Sequence, residues 1–561
     1  MAPHIPKTKF NCESRSIRDR PRAIGVRIVH LVRERAKQRD LKSRVPAIAL
    51  ALLIPAIAVA QRPAADSVRT AVRAYVRAYD ADILHEFSDF LTIPNVAADS
   101  ANIRRNAAAI VAMLQKRGAT ARLLEPRGAG SPAIYGEIMT PGATKTVVLY
   151  AHYDGQPVEP AQWATPPWAP TLRDKPLSDG GQVIPIPQRN GATQGEWRLY
   201  ARAAADDKAT IMAILAALDA LRAVQVRPSV RLKLFFEGEE EAGSPHLAEL
   251  LTSNAALLHA DAWLFGDGPV HQSRRQQIVF GARGVMGAEL ATYGPIRALH
   301  SGHYGNWAPN PVTLLAGLIA SMRNDDGRIL IPHFYDDVDP ITAADRRALA
   351  SLPPVDSALR AELQLGGTEA HNAPLGERIM RPALNLRGFR GGAVGETAAN
   401  AIPTEARASI DFRLVPHQTP RHVRQLVEAH ARSRGYYIID HDPTPVERMR
   451  HGRILKIQWD SGYAAVRTAV GAPLARAVVQ ASEMALGEPV IQLPILGGSL
   501  PLSIFAEALH TPLVVVPIAN HDNNQHAANE NLRLQNLWDG IALYAGLMAE
   551  LGTIWNASVV P

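Results

Sequence analysis

Short β-rich apolar runs alternate with helical stretches along most of this chain, and that alternation limits its fold more than any other feature. Runs at 146–150, 230–236, 262–265 and 513–518 are separated by helical stretches that include 211–221 and 474–486. Strands alternating with helices build a mostly parallel sheet, so the expected fold is α/β. It begins in a helical entry over about 66–123, where Val72, Tyr75, Val76 and Tyr79, then Ile110, Met113 and Leu114, keep helical spacing. Between about 283 and 465 the texture changes to Gly/Pro-punctuated strands, including 406–415, with one helical stretch at 420–433. That change predicts an α+β domain inserted into the first, dividing the body into 61–282, 283–465 and 466–561. Residues 166–197, rich in Pro, Gly and Asp, read as a long surface loop.

Parallel sheets place their chemistry at the carboxyl ends of strands. Here the run at 146–150 leads to His152 and Asp154, and the one at 230–236 leads to Glu237, Glu239, Glu240 and Glu241. The run at 262–265 reaches Asp267, the one at 513–518 reaches His521, Asp522 and His526, and Asp206 and Asp207 follow Leu199-Tyr200. Imidazole and carboxylate suit hard or borderline divalent cations, and two ions about 3.5–4 Å apart, bridged by a carboxylate, form a clamp for hydrolysis. The run of acids at 239–241 repels itself unless a cation or water neutralises it. Solvated acidic loops and satisfied core histidines account for any one of these groups. Five groups arriving at such positions together point to a metal centre.

Residues 1–44 hold 13 Lys/Arg against 4 Asp/Glu, whereas the rest of the chain holds 47 against 49, so the overall charge of +7 gives no reason to expect nucleic-acid binding by the body. Cys12, the only cysteine, lies in the same leader. Neither a disulfide nor a thiolate metal site is therefore open to the body. The apolar run 45–60 ends in Ala58-Val59-Ala60, a small-x-small pattern that predicts a signal peptide over 1–60, cleavage after Ala60 and an exported, periplasmic or secreted protein. At about 16 residues the run is below the roughly 20 needed to span a bilayer, so no stable membrane span is expected. The glycines at 388, 391, 392 and 395 lack the Lys-Ser/Thr pair of a phosphate loop.

From about Asp80 to Leu551 the chain resembles the dizinc metallopeptidases that include carnosinase-type dipeptidases, carboxypeptidase G and succinyl-diaminopimelate desuccinylase. The first motif of that family, His-x-Asp, stands here as His152-Tyr153-Asp154, followed by Trp163 and Pro167-Trp168. Its Gly-Arg-Gly-x-x-Asp-Asp-Lys-Gly appears as Ala201-Arg202-Ala203-Ala204-Ala205-Asp206-Asp207-Lys208-Ala209, with all three glycines replaced by alanine. Glu-Gly-x-Glu-Glu-x-Gly-Ser is intact from Glu237 to Ser244, and the closing motif stands as Asp522, His526, Asn529 and Glu530.

The resemblance implies two Zn2+ per chain, with Mn2+ or Co2+ as substitutes on the same ligand types. Asp206 would bridge the ions, His152 and Asp267 would complete one site, and Glu241 and His526 the other. It also implies a cis Asp206-Asp207 bond, Glu240 as general base to a metal-activated water, and Asp154 orienting His152 through its far nitrogen. The inserted domain would serve as lid and dimerisation domain. His300, in Leu299-His300-Ser301-Gly302, would reach the partner subunit's active site of a homodimer, while Arg413, Asn400, Gly498 and Ser499 would contact substrate. A surface histidine and a strand salt bridge are the plain alternatives for His300 and Arg413.

Dipeptidases and aminopeptidases of the family tend to carry Asp where deacylating members carry Glu, and here the residue is Asp267. The expected activity is therefore hydrolysis of dipeptides or short peptides. Hydrolysis of N-acyl-amino acids at the same centre is the alternative, and an inactive binding protein of the same fold a remote one.

Overall fold

Two β-sheets carry the architecture of residues 65–189, 191–498 and 500–557, which a computed structural model describes. The larger has eight strands in the spatial order Thr120–Leu124, Ala133–Ile138, Arg231–Glu237, Thr146–His152, Ala262–Phe265, Leu513–Val515, Gln277–Val279 and Ile491–Leu493. Its four central strands, from Arg231–Glu237 to Leu513–Val515, run parallel. Successive residues of a strand point to opposite faces, and both faces here are covered. Val147, Leu149, Leu232, Leu234 and Leu264 join the core beneath the helices Ala65–Leu91, Lys208–Ala223, Pro473–Leu486 and Leu534–Ala557. The alternate residues Val148, Tyr150, Phe235, Trp263 and Phe265 join Phe505 in an aromatic core on the other side, with ring centroids 4.5 Å apart for Tyr150–Phe265 and 4.9 Å for Phe265–Phe505.

The second sheet is formed by the inserted α+β segment. Its order is Ala383–Arg390, Glu405–Leu414, Gly284–Tyr293, Ile454–Trp459 and Tyr437–Ile439. Met286, Ala288, Leu290, Ala408, Ile410, Phe412 and Ile457 cover one face together with residues of the helices Pro311–Met322 and Pro420–Ser433. On the edge strand, Leu386 and Phe389 remain exposed. The chain enters and leaves this segment at one place, where Gly281–Ala282 pairs with Val466–Arg467 in a two-residue antiparallel ladder.

Three expectations need correction. Residues 120–124 form an edge strand rather than continuing the helical entry, which ends at Lys116. Residues 166–197 are not all loop: Thr171–Arg173 pairs with Arg198–Tyr200, which pairs with Asn531–Arg533. Strands of three residues between prolines and glycines are too short for a period to show. The inserted segment also holds more than one helix. Pro311–Met322 is capped by Asn310, whose side chain accepts from Val312 N at 2.9 Å, and short helices occupy much of 343–379. Pro311–Met322 is apolar on most sides, so it lacks the polar stripe that marks a surface helix. No helix among the described residues is long and apolar enough to cross a membrane.

Candidate metal centre

The parallel strands bring their carboxyl ends to one edge of the large sheet. His152 closes the strand Thr146–His152 and lies in register with Glu237 on the neighbouring strand. Asp267 follows Ala262–Phe265 by two residues, and His526 lies in the loop beyond Leu513–Val515. Two donor groups result, His152/Asp206/Asp267 and Asp206/Glu241/His526, each with ligand atoms within 4.8 Å of one another. Asp206 belongs to both: Oδ1 lies 3.0 Å from His152 Nε2, and Oδ2 lies 3.1 Å from His526 Nε2. Glu241 Oε2 is 3.2 Å from the same nitrogen of His526.

The loop that presents Asp206 is built around Glu530. This buried carboxylate accepts from Arg202 Nη1 at 2.7 Å and from the backbone N–H groups of Ala203, Ala205 and Asp206 at 3.0, 2.9 and 3.0 Å. Arg202 in turn lies over the Trp163 ring, 5.1 Å from its centroid. The alanines that replace the motif's glycines fit this buried loop, with Ala203 in the left-handed region at φ 60°. The Asp206–Asp207 peptide is cis.

Asp154 connects two of the strand ends. Its carboxylate accepts from Glu240 N at 3.1 Å and Glu241 N at 3.0 Å, and Oδ1 is 3.4 Å from His152 Nδ1. The acidic run divides its tasks. Glu239 turns away to accept from Ser131 N at 2.6 Å and pair with His246 Nδ1 at 2.8 Å, while Glu237 accepts from the Tyr150 hydroxyl at 2.7 Å. Glu240 belongs to neither donor group, yet it lies close enough to feel the charges of His152, Asp267 and Glu241. His521 and Asp522 also stay outside both groups. Asp522 anchors the loop of His526 through a two-point pair with Arg198, at 3.0 and 2.8 Å.

The residues fit divalent cations. Asp206, Asp267, Glu240 and Glu241 crowd a largely buried space with two imidazoles, an excess of negative charge that a dry interior holds poorly without cations. Burial, and next the charge of Asp206, pushes Asp267 up to about 6 and Glu241 up to about 8. Burial likewise holds Glu240 well above the usual carboxylate range, with Asp267 and Glu241 adding to it against the pull of His152. Asp206 Oδ2 is buried, with His526 Nε2 at 3.1 Å beside it.

None of the expected substrate contacts is a member of the two donor groups. His300 is exposed, accepts from Gly302 N at 3.1 Å and lies against the His303 ring, with centroids 4.5 Å apart. Asn400 is exposed, and its carbonyl accepts from Ser301 N at 2.8 Å. Arg413 pairs with Asp411 at 3.2 Å, Gly498 lies on an exposed turn, and Ser499 lies outside the described residues. The sequence reading gave no role to Glu530, Arg198 or Gln156, whose Nε2 donates to Glu241 Oε2 at 2.7 Å. Gln156 could have been found by its place four residues after His152, and Glu530 by its place in the closing motif.

The family model described as Peptidase family M20/M25/M40 matches residues 148–550. The Cys-Gly metallodipeptidase dug1 of Schizosaccharomyces pombe is 25% identical over 432 residues, 75% of this chain and 83% of that protein. The Beta-Ala-His dipeptidase of Homo sapiens is 25% identical over 437 residues, 75% of this chain and 78% of that protein. The crystal structure of the M20 family metallo-carboxypeptidase Sso-CP2 from Sulfolobus solfataricus superposes with a TM-score of 0.65 at 27% identity, covering 84% of this chain and 99% of that one. These similarities correct one expectation. An exported, periplasmic or secreted location rested on residues 1–60, which lie outside the described residues, and the similarity of the body to the yeast metallodipeptidase stands against it. The physical reason is that a basic stretch with a short apolar run is a composition signal, separate from the residues that make the catalytic body.

Proposed function

The chain belongs to peptidase family M20/M25/M40, and from that premise we propose that it is a dinuclear zinc dipeptidase cleaving the peptide bond of dipeptides or very short peptides. The observation that carries this reading is Asp206, whose two oxygens face the histidines of two separate donor groups. His152 and Asp267 would hold one zinc ion, Glu241 and His526 the other, and Asp206 both, with manganese or cobalt able to replace zinc on the same donors. Bound there, the ions supply Lewis acidity to the scissile carbonyl and to water. Glu240, beside both groups, takes the proton of the attacking water and returns it to the leaving amine as the C–N bond breaks. Asp154 keeps the His152 ring in place while its other oxygen holds the backbone of Glu241.

Residues 61–282 and 466–561 form the catalytic domain in this reading, and 283–465 a lid that also joins two chains in a homodimer. His300 then stabilises the oxyanion in the partner's site, in keeping with its exposure on its own chain. Arg413 takes the C-terminal carboxylate, and Asn400, Gly498 and Ser499 contact the peptide. Metal analysis of the full chain, together with a dipeptide panel that includes beta-alanyl-histidine, Cys-Gly and acetylated controls, tests the reading. Two ions per chain with cleavage of free dipeptides is the expected result. Cleavage of acetylated amino acids alone would reassign the enzyme as a deacylase, and absence of bound metal after zinc loading would remove the catalytic reading.

A further inference from the structure

The connection between the first two helices, Ala65–Leu91 and Ser100–Lys116, touches both the loop of His152 and the loop of Asp206. Asn95, fully buried, is its centre. Its Nδ2 donates to Tyr153 O at 2.9 Å, inside His152-Tyr153-Asp154, and its main-chain carbonyl accepts from Gly155 N at 2.9 Å. Tyr153 N donates in turn to Glu237 O at 2.8 Å, so the two peptide groups around Tyr153 are held from opposite sides. Asn95 Oδ1 accepts from the indole Nε1 of Trp168 at 3.2 Å. The approach is close: a Cβ on Gly155 would lie 3.0 Å from Asn95 Nδ2 and 3.2 Å from Arg202 Cδ.

The same connection reaches Asp206 through Lys208, two residues further along that loop. Lys208 is fully buried at the start of the helix Lys208–Ala223. Its Nζ donates to Phe90 O and Ile93 O, both at 3.1 Å, and lies 4.4 Å from the centroid of the Phe90 ring. Carbonyls at a helix C-terminus lack partners within the helix and carry the negative end of its dipole, which suits a cation. Burying a cation is costly, so such a contact contributes little net stability. What it supplies is a fixed distance between two pieces of chain. Asn95 likewise has its amide and both its oxygens engaged, and a satisfied buried polar network is rigid.

We propose that Asn95 and Lys208 are positioning residues for the metal centre: residues 90–95 grip the loops of His152 and Asp206 at once and set the separation, 3.0 Å between His152 Nε2 and Asp206 Oδ1, at which the two share an ion. This rests on the dinuclear reading above and adds to it a part of the chain that precedes residues 148–550, the span matched by the family model. Every one of these contacts runs to main chain or to an aromatic ring, so both residues act through the backbone of the loops. Outer groups that orient metal ligands are typically worth about 10–100-fold in affinity.

The test is a zinc titration of metal-free full-length chains in competition with a chromophoric chelator, which reads affinity without turnover. Asn95→Ala and Lys208→Met are each expected to weaken one of the two binding steps about tenfold. Combined, they should weaken it by clearly less than about a hundredfold, since both release the same segment. With cobalt in place of zinc, the visible absorption of each single variant should shift, which a loss confined to folding stability does not produce. Thr292→Val is the control: it removes a buried hydroxyl bond to Pro311 O, 2.8 Å long, in the inserted segment. It should leave both binding steps unchanged within about twofold. Melting temperature identifies a variant that has merely failed to fold. Trp168→Phe, which removes only the indole bond to Asn95, then takes its place, with a loss of about threefold expected. Binding steps unchanged within about twofold in these variants, or weakened equally in Thr292→Val, overturn the proposal and leave the dinuclear reading standing. A parent chain that takes up no zinc overturns both.

Discussion

The two sheets of this protein use their residues in opposite ways. The eight-stranded sheet is covered on both faces, and its strand ends place His152, Glu241, Asp267 and His526 around Asp206. The five-stranded sheet buries one face against its helices and leaves Leu386 and Phe389 exposed on its edge strand, while His300 and Asn400 are exposed at and beside a separate two-residue ladder between Leu299–His300 and Ala401–Ile402. Chemistry that one chain must assemble alone is built on the doubly covered sheet. His300, Asn400 and Arg413, which are proposed to meet a substrate or a second chain, lie in the inserted segment.

The sharpest way to break this contrast is through the two residues to which it assigns chemistry. Glu240→Gln should retain both metal ions and lose turnover by at least about 10²–10⁴-fold, as expected when a proton-transfer group is removed. Metal analysis beside kcat checks it, and near-normal turnover would take the base role away from Glu240. If His300 acts across a homodimer as proposed, His300→Ala should be inactive by itself but regain activity when mixed with inactive Asp206→Ala chains, because a mixed dimer would then contain one site with both intact donor groups and a working histidine. Mixtures that stay inactive would return His300 to its own chain's surface.

Smaller effects sharpen the comparison. Glu530→Gln leaves the buried Arg202 without its carboxylate and should cost about 3–5 kcal/mol of stability in denaturant unfolding. The same change at Glu289, whose 3.4 Å pair with Arg387 is exposed on the five-stranded sheet, should cost no more than about 1 kcal/mol. Equal losses at the two positions would mean that the regions do not differ in how firmly they hold their charges. Ala203→Gly is expected to be smallest and of opposite sign. A residue at φ 60° without a Cβ is relieved of about 1–2 kcal/mol of strain, less the extra freedom of glycine in the unfolded chain, so a rise of a few degrees in melting temperature is the expected reading.

The residues of the two donor groups could be read from the sequence because parallel topology converts a linear pattern, apolar run followed by polar residue, into a cluster in space. His152, Asp267 and His526 need only their strands to be adjacent. Asp206 follows no long apolar run and was recognisable through its motif. What holds it was harder to see, since Glu530 binds three backbone N–H groups of a loop more than three hundred residues earlier, and backbone donors leave no trace in side-chain identity. The inserted segment was legible as a change of texture but not in its helices, because Pro311–Met322 lacks a polar face and the helices over 343–379 are too short to show a period. Asn95 has no local signal either: its partners Tyr153 and Trp168 lie on other loops, and only the folded chain brings the three together.

The two-residue ladder between Gly281–Ala282 and Val466–Arg467 also bears on how such proteins diversify. Everything between Ala282 and Val466 leaves the catalytic body and returns to it through neighbouring, hydrogen-bonded strands. A foreign segment therefore has to match this short seam and the neighbouring contacts of Ile341 and Met380 with Ile495 to be accommodated. None of the residues of the two donor groups lies between Ala282 and Val466, so an exchanged insert would leave those groups in place. New substrates thus become accessible through exchange of a cassette, ahead of any change in the residues that cut the bond.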